Sequence, residues 1–216
     1  MDFQIYTMYV NRQDLLENAV RSVGEYVDRV VVLDNSAKQD LALPDVACEI
    51  VVPPVPLFCS QSYNLILKLA IERNQEFFFI MHSDAVASAQ AVGECLTLGS
   101  TLKRDGVPWG VMFTNYDVLC LHNTDALRDF RWDQNLPLYY TDVDFYYRLR
   151  LAGLQIIHSR LKVEHVSGGS QTMKSDMATD KFVRTNYPAW RHYYIEKWGG
   201  DRDLETFTTP FGIPAG

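Results

Sequence analysis

The stretch FFFIMHSDAV, Phe77 to Val86, carries five consecutive apolar residues into a polar knot, His82-Ser83-Asp84, and then returns to small residues. An unbroken apolar run of this kind reads as a strand buried on both faces, which is the habit of parallel sheets covered by helices. In such sheets ligands sit beyond the carboxyl ends of the strands. The triplet is therefore either a turn that ends the strand or a place where the strand meets a ligand.

Working upstream, SQSYNLILKLAIERN has Tyr63, Leu67, Ala70 and Ile71 on one side of a helix, and CEIVVPPVP is a short strand stopped by prolines. Before them, the β-branched and aromatic runs FQIYTMYV and RVVVLDNS flank DLLENAVRSVGEYV. There Leu15, Leu16, Ala19, Val20 and Val23 recur at helical spacing, giving strand, helix, strand. Downstream, a helix is expected from Ser88 to about Arg104. The strands WGVMFTN and DVLCLHN follow, joined by a turn near Asn115 and Tyr116 as a hairpin. A short helix over 124–129 and the loop RWDQNLPLYYT lead to a helix from Asp142 to Ala152, with Phe145, Leu149 and Ala152 inward and Gly153 as its stop. The apolar runs LQIIHS and LKVEHV, the loop SGGS, an aromatic-rich helix over 180–198 and an irregular tail complete the chain.

This alternation predicts an α/β fold with a mixed, Rossmann-like central sheet, parallel in its first half and partly antiparallel in its second, with helices on both faces. At 216 residues and 47% hydrophobic content one globular domain is expected. A formal charge of -7 with no basic tail argues against a nucleic-acid backbone as partner, because that binding depends on Lys and Arg neutralising phosphates. Cys48, Cys59, Cys95 and Cys120 are widely spaced with no C-x-x-C pair, which suits a reduced, cytoplasmic chain. No signal peptide or apolar run long enough for a membrane span is visible, so any membrane contact is expected to be peripheral, with the C-terminal helix as the candidate.

Four polar groups end strands or begin helices: Asp34-Asn35-Ser36, His82-Ser83-Asp84, Asp142-x-Asp144, and His165 before Ser167-Gly168-Gly169-Ser170. Each has a structural explanation when taken singly. Asp34 and Asn35 suit a turn, Asp84 and Asp142 suit helix caps, and a histidine serves many roles. Their order along an α/β chain changes the weighing, because all four can converge at one sheet edge. Carboxylates suit magnesium and manganese, and manganese also accepts imidazole, so Asp84 and His165 form a candidate metal pair. Asp142, held apart from the metal, can accept a proton, and Asp144 is an alternative base or a helix-start residue. There is no G-x-G-x-x-G, P-loop or G-x-S-x-G motif, so a nucleotide would have to be held by other means.

The ordered set YVNR, VVVLDNS, SYNLILKLA, FFFIMHSDA, YTDVDFYYRLRLAG and VEHVSGGS, Phe3 to Ser170, resembles family 2 glycosyltransferases of the GT-A fold. These are inverting enzymes that use nucleoside-diphosphate sugars. Their usual pattern has T-Y-N-R, V-D-N-G-S, a D-x-D triplet, E-D-x-D-L-x-x-R-x-x-x-A-G and a late H-x-G-G-S. The segment YYIEKWGGDRDLETFTTPF is similar to the K-W-G-G and P-F ending of some members.

The resemblance implies a catalytic domain over 1–172, with a nucleotide-sugar half about 1–86 and an acceptor half about 87–172, and a C-terminal helix and tail over 173–216 packed on it. It implies Tyr9 and Asp34 near the nucleoside base, Asn64 in the helix after strand three, and His82, Ser83 and Asp84 at the D-x-D position. Asp84 and His165 would be ligands of Mn2+ or Mg2+, and Asp142 the general base. The donor would be a nucleoside-diphosphate sugar, by family habit a uridine diphosphate sugar. The acceptor hydroxyl is left open among a glycan, lipid-linked saccharide, protein, small molecule or modified nucleic-acid base. Two positions depart from the pattern: His82 replaces the first carboxylate of the triplet, and Thr141 replaces the Glu before Asp142. Those departures keep open a nucleotide-sugar-binding protein without turnover, and paired carboxylates keep open a metal-independent glycoside hydrolase. Tyr139, Tyr140, Trp190, Tyr193, Tyr194 and Trp198 suit either an acceptor groove or core packing.

Overall fold

The computed structural model describes residues 2–214; Met1 and the last two residues of the expected tail lie outside it. In chain order it contains β1 (Phe3–Tyr9), α1 (Gln13–Ser22), β2 (Val30–Asp34), β3 (Glu49–Val51), α2 (Cys59–Glu72), β4 (Phe77–Met81) and β5 (Ala85–Val86). Then come α3 (Ala89–Arg104), β6 (Trp109–Thr114), β7 (Tyr116–Asn123), α4 (Thr141–Leu151), β8 (Gln155–His158), β9 (Glu164–His165), α5 (Gln171–Lys174) and α6 (Met177–Trp198).

Seven strands form one sheet in the order β3-β2-β1-β4-β7-β6-β8. β1 pairs in parallel with β2 and β4, β2 with β3, and β6 with β8, while β7 runs antiparallel between β4 and β6. Alternate side chains of each strand supply two apolar layers. Ile5, Val30, Val32, Phe77 and Phe79 face Leu16, Ala19 and Val20 of α1 and Val92 and Cys95 of α3. Tyr6, Val31, Leu33, Phe78 and Ile80 face Ile66, Leu67 and Ala70 of α2 and Phe145 and Leu149 of α4. Both faces are covered, which is why VVVLD and FFFIM are apolar throughout: every residue of β2 and β4 is buried. No helix among the described residues is long and apolar enough to cross a membrane.

Several element boundaries differ from the sequence reading. The first helix stops at Ser22 because Gly24, at φ +60, takes the backbone out of the helical region, and a 3-10 segment covers Gly24–Arg29. The helix expected over 124–129 is a single 3-10 turn, Asp125–Leu127. In α4, Phe145 and Leu149 point inward but Ala152 is exposed, because it lies at the cap where Gly153, at φ +77, turns the chain toward β8. LKVEHV keeps only Glu164 and His165 as strand, while Val163 packs into the core. The last helix begins at Met177 rather than Asp180, because Asp176 caps it by accepting from the Ala178 and Thr179 amides.

α6 is attached by a third apolar cluster, in which Val183, Trp190, Tyr194 and Trp198 pack with Leu136 and Tyr140. At its centre Lys197 donates to Asp144 Oδ1 at 2.6 Å and to Asp133 Oδ2 at 2.7 Å, and Trp198 Nε1 donates to Asp144 Oδ1 at 2.8 Å.

Candidate active site

The strand-end residues meet at one edge of the sheet. Tyr9 lies opposite Asp34 in the β1–β2 register, and His82 follows the last residue of β4. The reversed direction of β7 brings its first residues, Tyr116 and Asp117, to the same edge. His165 is 81 residues from Asp84 and reaches it through a two-stranded ribbon, in which Ala85 of β5 pairs with His165 of β9 and the Val166 amide donates to Asp84 O at 2.9 Å.

The metal candidates converge closely. His165 Nε2 lies 3.0 Å from Asp84 Oδ1 and 3.4 Å from His82 Nδ1. One donor atom from each of His82, Asp84 and His165 lies within 4.8 Å of the others. The other Asp84 oxygen accepts from the Gln171 amide at 3.2 Å, which fixes the carboxylate plane. A Cβ at Gly169, φ +79, would sit 2.2 Å from His165 Cε1, so only glycine leaves room for this imidazole. Lys174 Nζ holds the same loop by donating to Gly169 O at 2.7 Å. Two imidazoles and one carboxylate fit a divalent ion that accepts nitrogen, and favour manganese over magnesium, which prefers an all-oxygen shell. Burial, reinforced by the neighbouring His165, pushes the His82 pKa down to about 4, so its ring is neutral near pH 7 and keeps a lone pair for a ligand.

Asp142 stands in the first turn of α4, half-buried, with the Tyr116 hydroxyl 3.4 Å from its Oδ2. Burial, then the charge of Asp117, raises its pKa, which makes the carboxylate a better proton acceptor while it is ionised. Asp117 itself was not singled out in the sequence. Its side chain is only 12% exposed, its Oδ1 lies 3.9 Å from His82 Nε2, and burial pushes its pKa up to about 6. The available signal was the hairpin: an acid that opens the reversed strand reaches the same edge as residues that close the parallel ones.

Other residues have architectural partners. Asp34 is fully buried, with Oδ1 accepting from the Ser36 amide at 2.9 Å and Oδ2 from the Leu41 amide at 3.0 Å, so it shapes the loop after β2. Tyr9 is half-buried beside it, its pKa raised by burial and then by Asp34. Asn64 clamps the backbone of Trp132 from both sides, donating to its carbonyl at 2.9 Å and accepting from its amide at 2.8 Å. Ser83 is half-buried between the two metal candidates in sequence. Asp144 does not serve as a second base: it is fully buried, Lys197 and Trp198 occupy one oxygen and Arg148 Nε donates to the other at 2.8 Å. Among the aromatic candidates Tyr140, Trp190, Tyr194 and Trp198 are buried packing residues, whereas Tyr139 and Tyr193 remain partly exposed.

No protein-family model and no curated protein matches the sequence. The fold does match solved structures. TarS 1-349 of S. aureus in complex with UDP-GlcNAc aligns at TM-score 0.53 and 12% identity over 78% of this chain and 61% of that one. GalNAc-T7 with UDP, GalNAc and Mn2+ aligns at TM-score 0.56 and 10% identity over 91% of this chain and 50% of that one. A CMP:2-keto-3-deoxy-manno-octonic acid synthetase complexed with CTP aligns at TM-score 0.53 and 10% identity, covering 86% of this chain and all 100% of the other. The chain spans 36% to 61% of the length of the TarS structures. The seven-stranded, mostly parallel sheet with helices on both faces is thus the fold shared with these structures, the GT-A-like arrangement expected from the sequence.

Proposed function

We propose that this chain is an inverting glycosyltransferase that moves a sugar from a nucleoside-diphosphate sugar, with uridine diphosphate as the leading nucleotide, to an acceptor hydroxyl. The observation that carries the reading is the meeting of His82, Asp84 and His165 within 4.8 Å, on the sheet edge where half-buried Asp142 also lies. The fold supports it, since TarS was solved with UDP-GlcNAc and GalNAc-T7 with UDP and Mn2+.

His82, Asp84 and His165 would hold a divalent ion, which supplies charge neutralisation for the diphosphate leaving group when bound. Tyr9 offers a ring face to the nucleoside base, and Asp34 keeps the loop beneath it in shape through two backbone amides. Asp142 removes the acceptor hydroxyl proton. The acceptor oxygen then bonds to the anomeric carbon as the bond to the diphosphate breaks, and its electron pair leaves with the nucleotide. Attack from the face opposite the leaving group inverts the centre.

Release of UDP from UDP-GlcNAc in the presence of Mn2+ tests the reading. Asp142→Asn should lose turnover by roughly 10²- to 10⁴-fold, the usual share of a positioned base, while calorimetry still records UDP binding. Wild-type turnover in that variant would remove Asp142 from the role, and tight nucleotide-sugar binding without any release by the native chain would select the non-catalytic binder instead.

A further inference from the structure

A cleft of about 500 Å³ between α4 and the edge strand β8 takes no part in holding the nucleotide or the ion in this scheme. Its size suits a small ligand. Phe113 and Tyr146 line it, Tyr116 stands at one end, and Arg150 and Arg202 stand in its wall.

Tyr116 joins the cleft to the chemistry. Its hydroxyl lies 3.4 Å from Asp142 Oδ2, so a molecule resting on this ring lies beside the candidate base. The residue has φ +65, a left-handed conformation unfavourable for a non-glycine residue, yet its side chain is left 50% exposed. Core packing does not account for a strained, half-exposed aromatic beside a half-buried carboxylate. A flat exposed ring does suit a sugar or polyol skeleton.

The arginines indicate the ligand's charge. Arg202 lies over the Tyr116 ring, 5.9 Å from its centroid, and Arg150 approaches from the last turn of α4. The acid they share is Asp203, at 3.9 Å from Arg150 and 3.5 Å from Arg202, both longer than a charge-assisted hydrogen bond. The two arginines are 50% and 54% exposed and Asp203 is 67% exposed, so their donors stay accessible. Arg202 also bonds the Tyr116 side chain and attracts the carboxylates of Asp142 and Asp117, so its fork is anchored beside the candidate base while Arg150 faces it across Asp203. A phosphate, with three terminal oxygens as a monoester and two as a diester, can bridge two guanidinium forks that a single carboxylate engages loosely.

We propose that this cleft is the acceptor subsite and that its ligand is a phosphorylated sugar or polyol, free or as a lipid head group. The carbon skeleton lies on Tyr116, the phosphate between Arg150 and Arg202, and a hydroxyl beside Asp142. This rests on the reading of Asp142 as the acceptor base.

Binding measured without donor or metal tests the subsite separately from turnover. Glycerol 3-phosphate, glycerol and vesicles containing phosphatidylglycerol are titrated against the native protein, an Arg150→Gln/Arg202→Gln double variant and an Arg104→Gln surface control, with melting temperatures confirming the fold. Glycerol 3-phosphate should bind at least 10-fold more tightly than glycerol, and the double variant should lose that margin while the control keeps it. Binding confined to the vesicles and lost in the double variant assigns the phosphate to a lipid head group. Equal affinity for glycerol, unchanged binding in the double variant, or no saturable binding to any probe overturns the proposal. Those results leave the transfer reading standing, whereas absence of UDP release from UDP-GlcNAc would remove the transfer reading without touching the anion site.

Discussion

Asp117 and His82 face each other where the strands end. His82 stands where the pattern that the sequence resembles has a carboxylate; its Nδ1 faces His165 and its Nε2 faces Asp117. A carboxylate at the far nitrogen of a metal-ligating imidazole fixes the tautomer and orients the ring. Asp117→Asn is therefore expected to weaken Mn2+ binding by roughly 10- to 100-fold, read by electron paramagnetic resonance titration without nucleotide. An unchanged dissociation constant would remove Asp117 from that role. His82, Asp84, Asp142 and His165 were legible in the sequence because each follows a strand or opens a helix. Asp117 was not, because it opens a strand whose reversed direction appears only once β7 is seen between β4 and β6. Asp34 and Asn64 were legible as positions, but their partners are backbone amides and carbonyls that no side-chain pattern announces.

Between elements, Asp144 joins α4 to α6. Removing its carboxylate leaves Lys197, 6% exposed, with Asp133 alone, and leaves the Trp198 indole without its acceptor. Breaking a buried ion pair from one side costs about 3–5 kcal/mol, because the remaining charge stays desolvated. Asp144→Ala should show that loss in urea denaturation, and a loss below about 1 kcal/mol would mean that the network contributes little. The sequence showed a helix-start acid at this position and an aromatic-rich helix later, but not their contact. Sequence spacing gives the face of each helix, whereas the pairing of α4 with α6 depends on how the 131–141 loop folds between them.

Across the whole molecule the fold was legible because both periodicities were strong. Continuous apolar strands and amphipathic helices allowed few arrangements other than a covered sheet. The same burial makes global stability depend on pH through His122 of β7. It is 1% exposed, stacked on Phe78 at 4.6 Å, and burial pushes its pKa down to about 3 against an ordinary 6.5. Below pH 6.5 the unfolded chain takes up a proton that the folded chain refuses, so this stability is complete above that pH and declines as pH falls toward 3. Relative to a His122→Gln variant, the native chain should lose about 2 kcal/mol of unfolding free energy between pH 6.5 and pH 5 in parallel urea titrations. A gap that stays constant with pH would contradict a neutral buried imidazole. The contact between Asp144 and Lys197 also constrains how the sequence can drift. Loss of the ammonium leaves the buried acid, two residues from Asp142, with Arg148 and Trp198, and loss of the acid leaves the buried ammonium near the end of α6 with Asp133 alone. A change at position 144 is then felt 53 residues downstream, at Lys197, and a change at position 197 is felt beside Asp142.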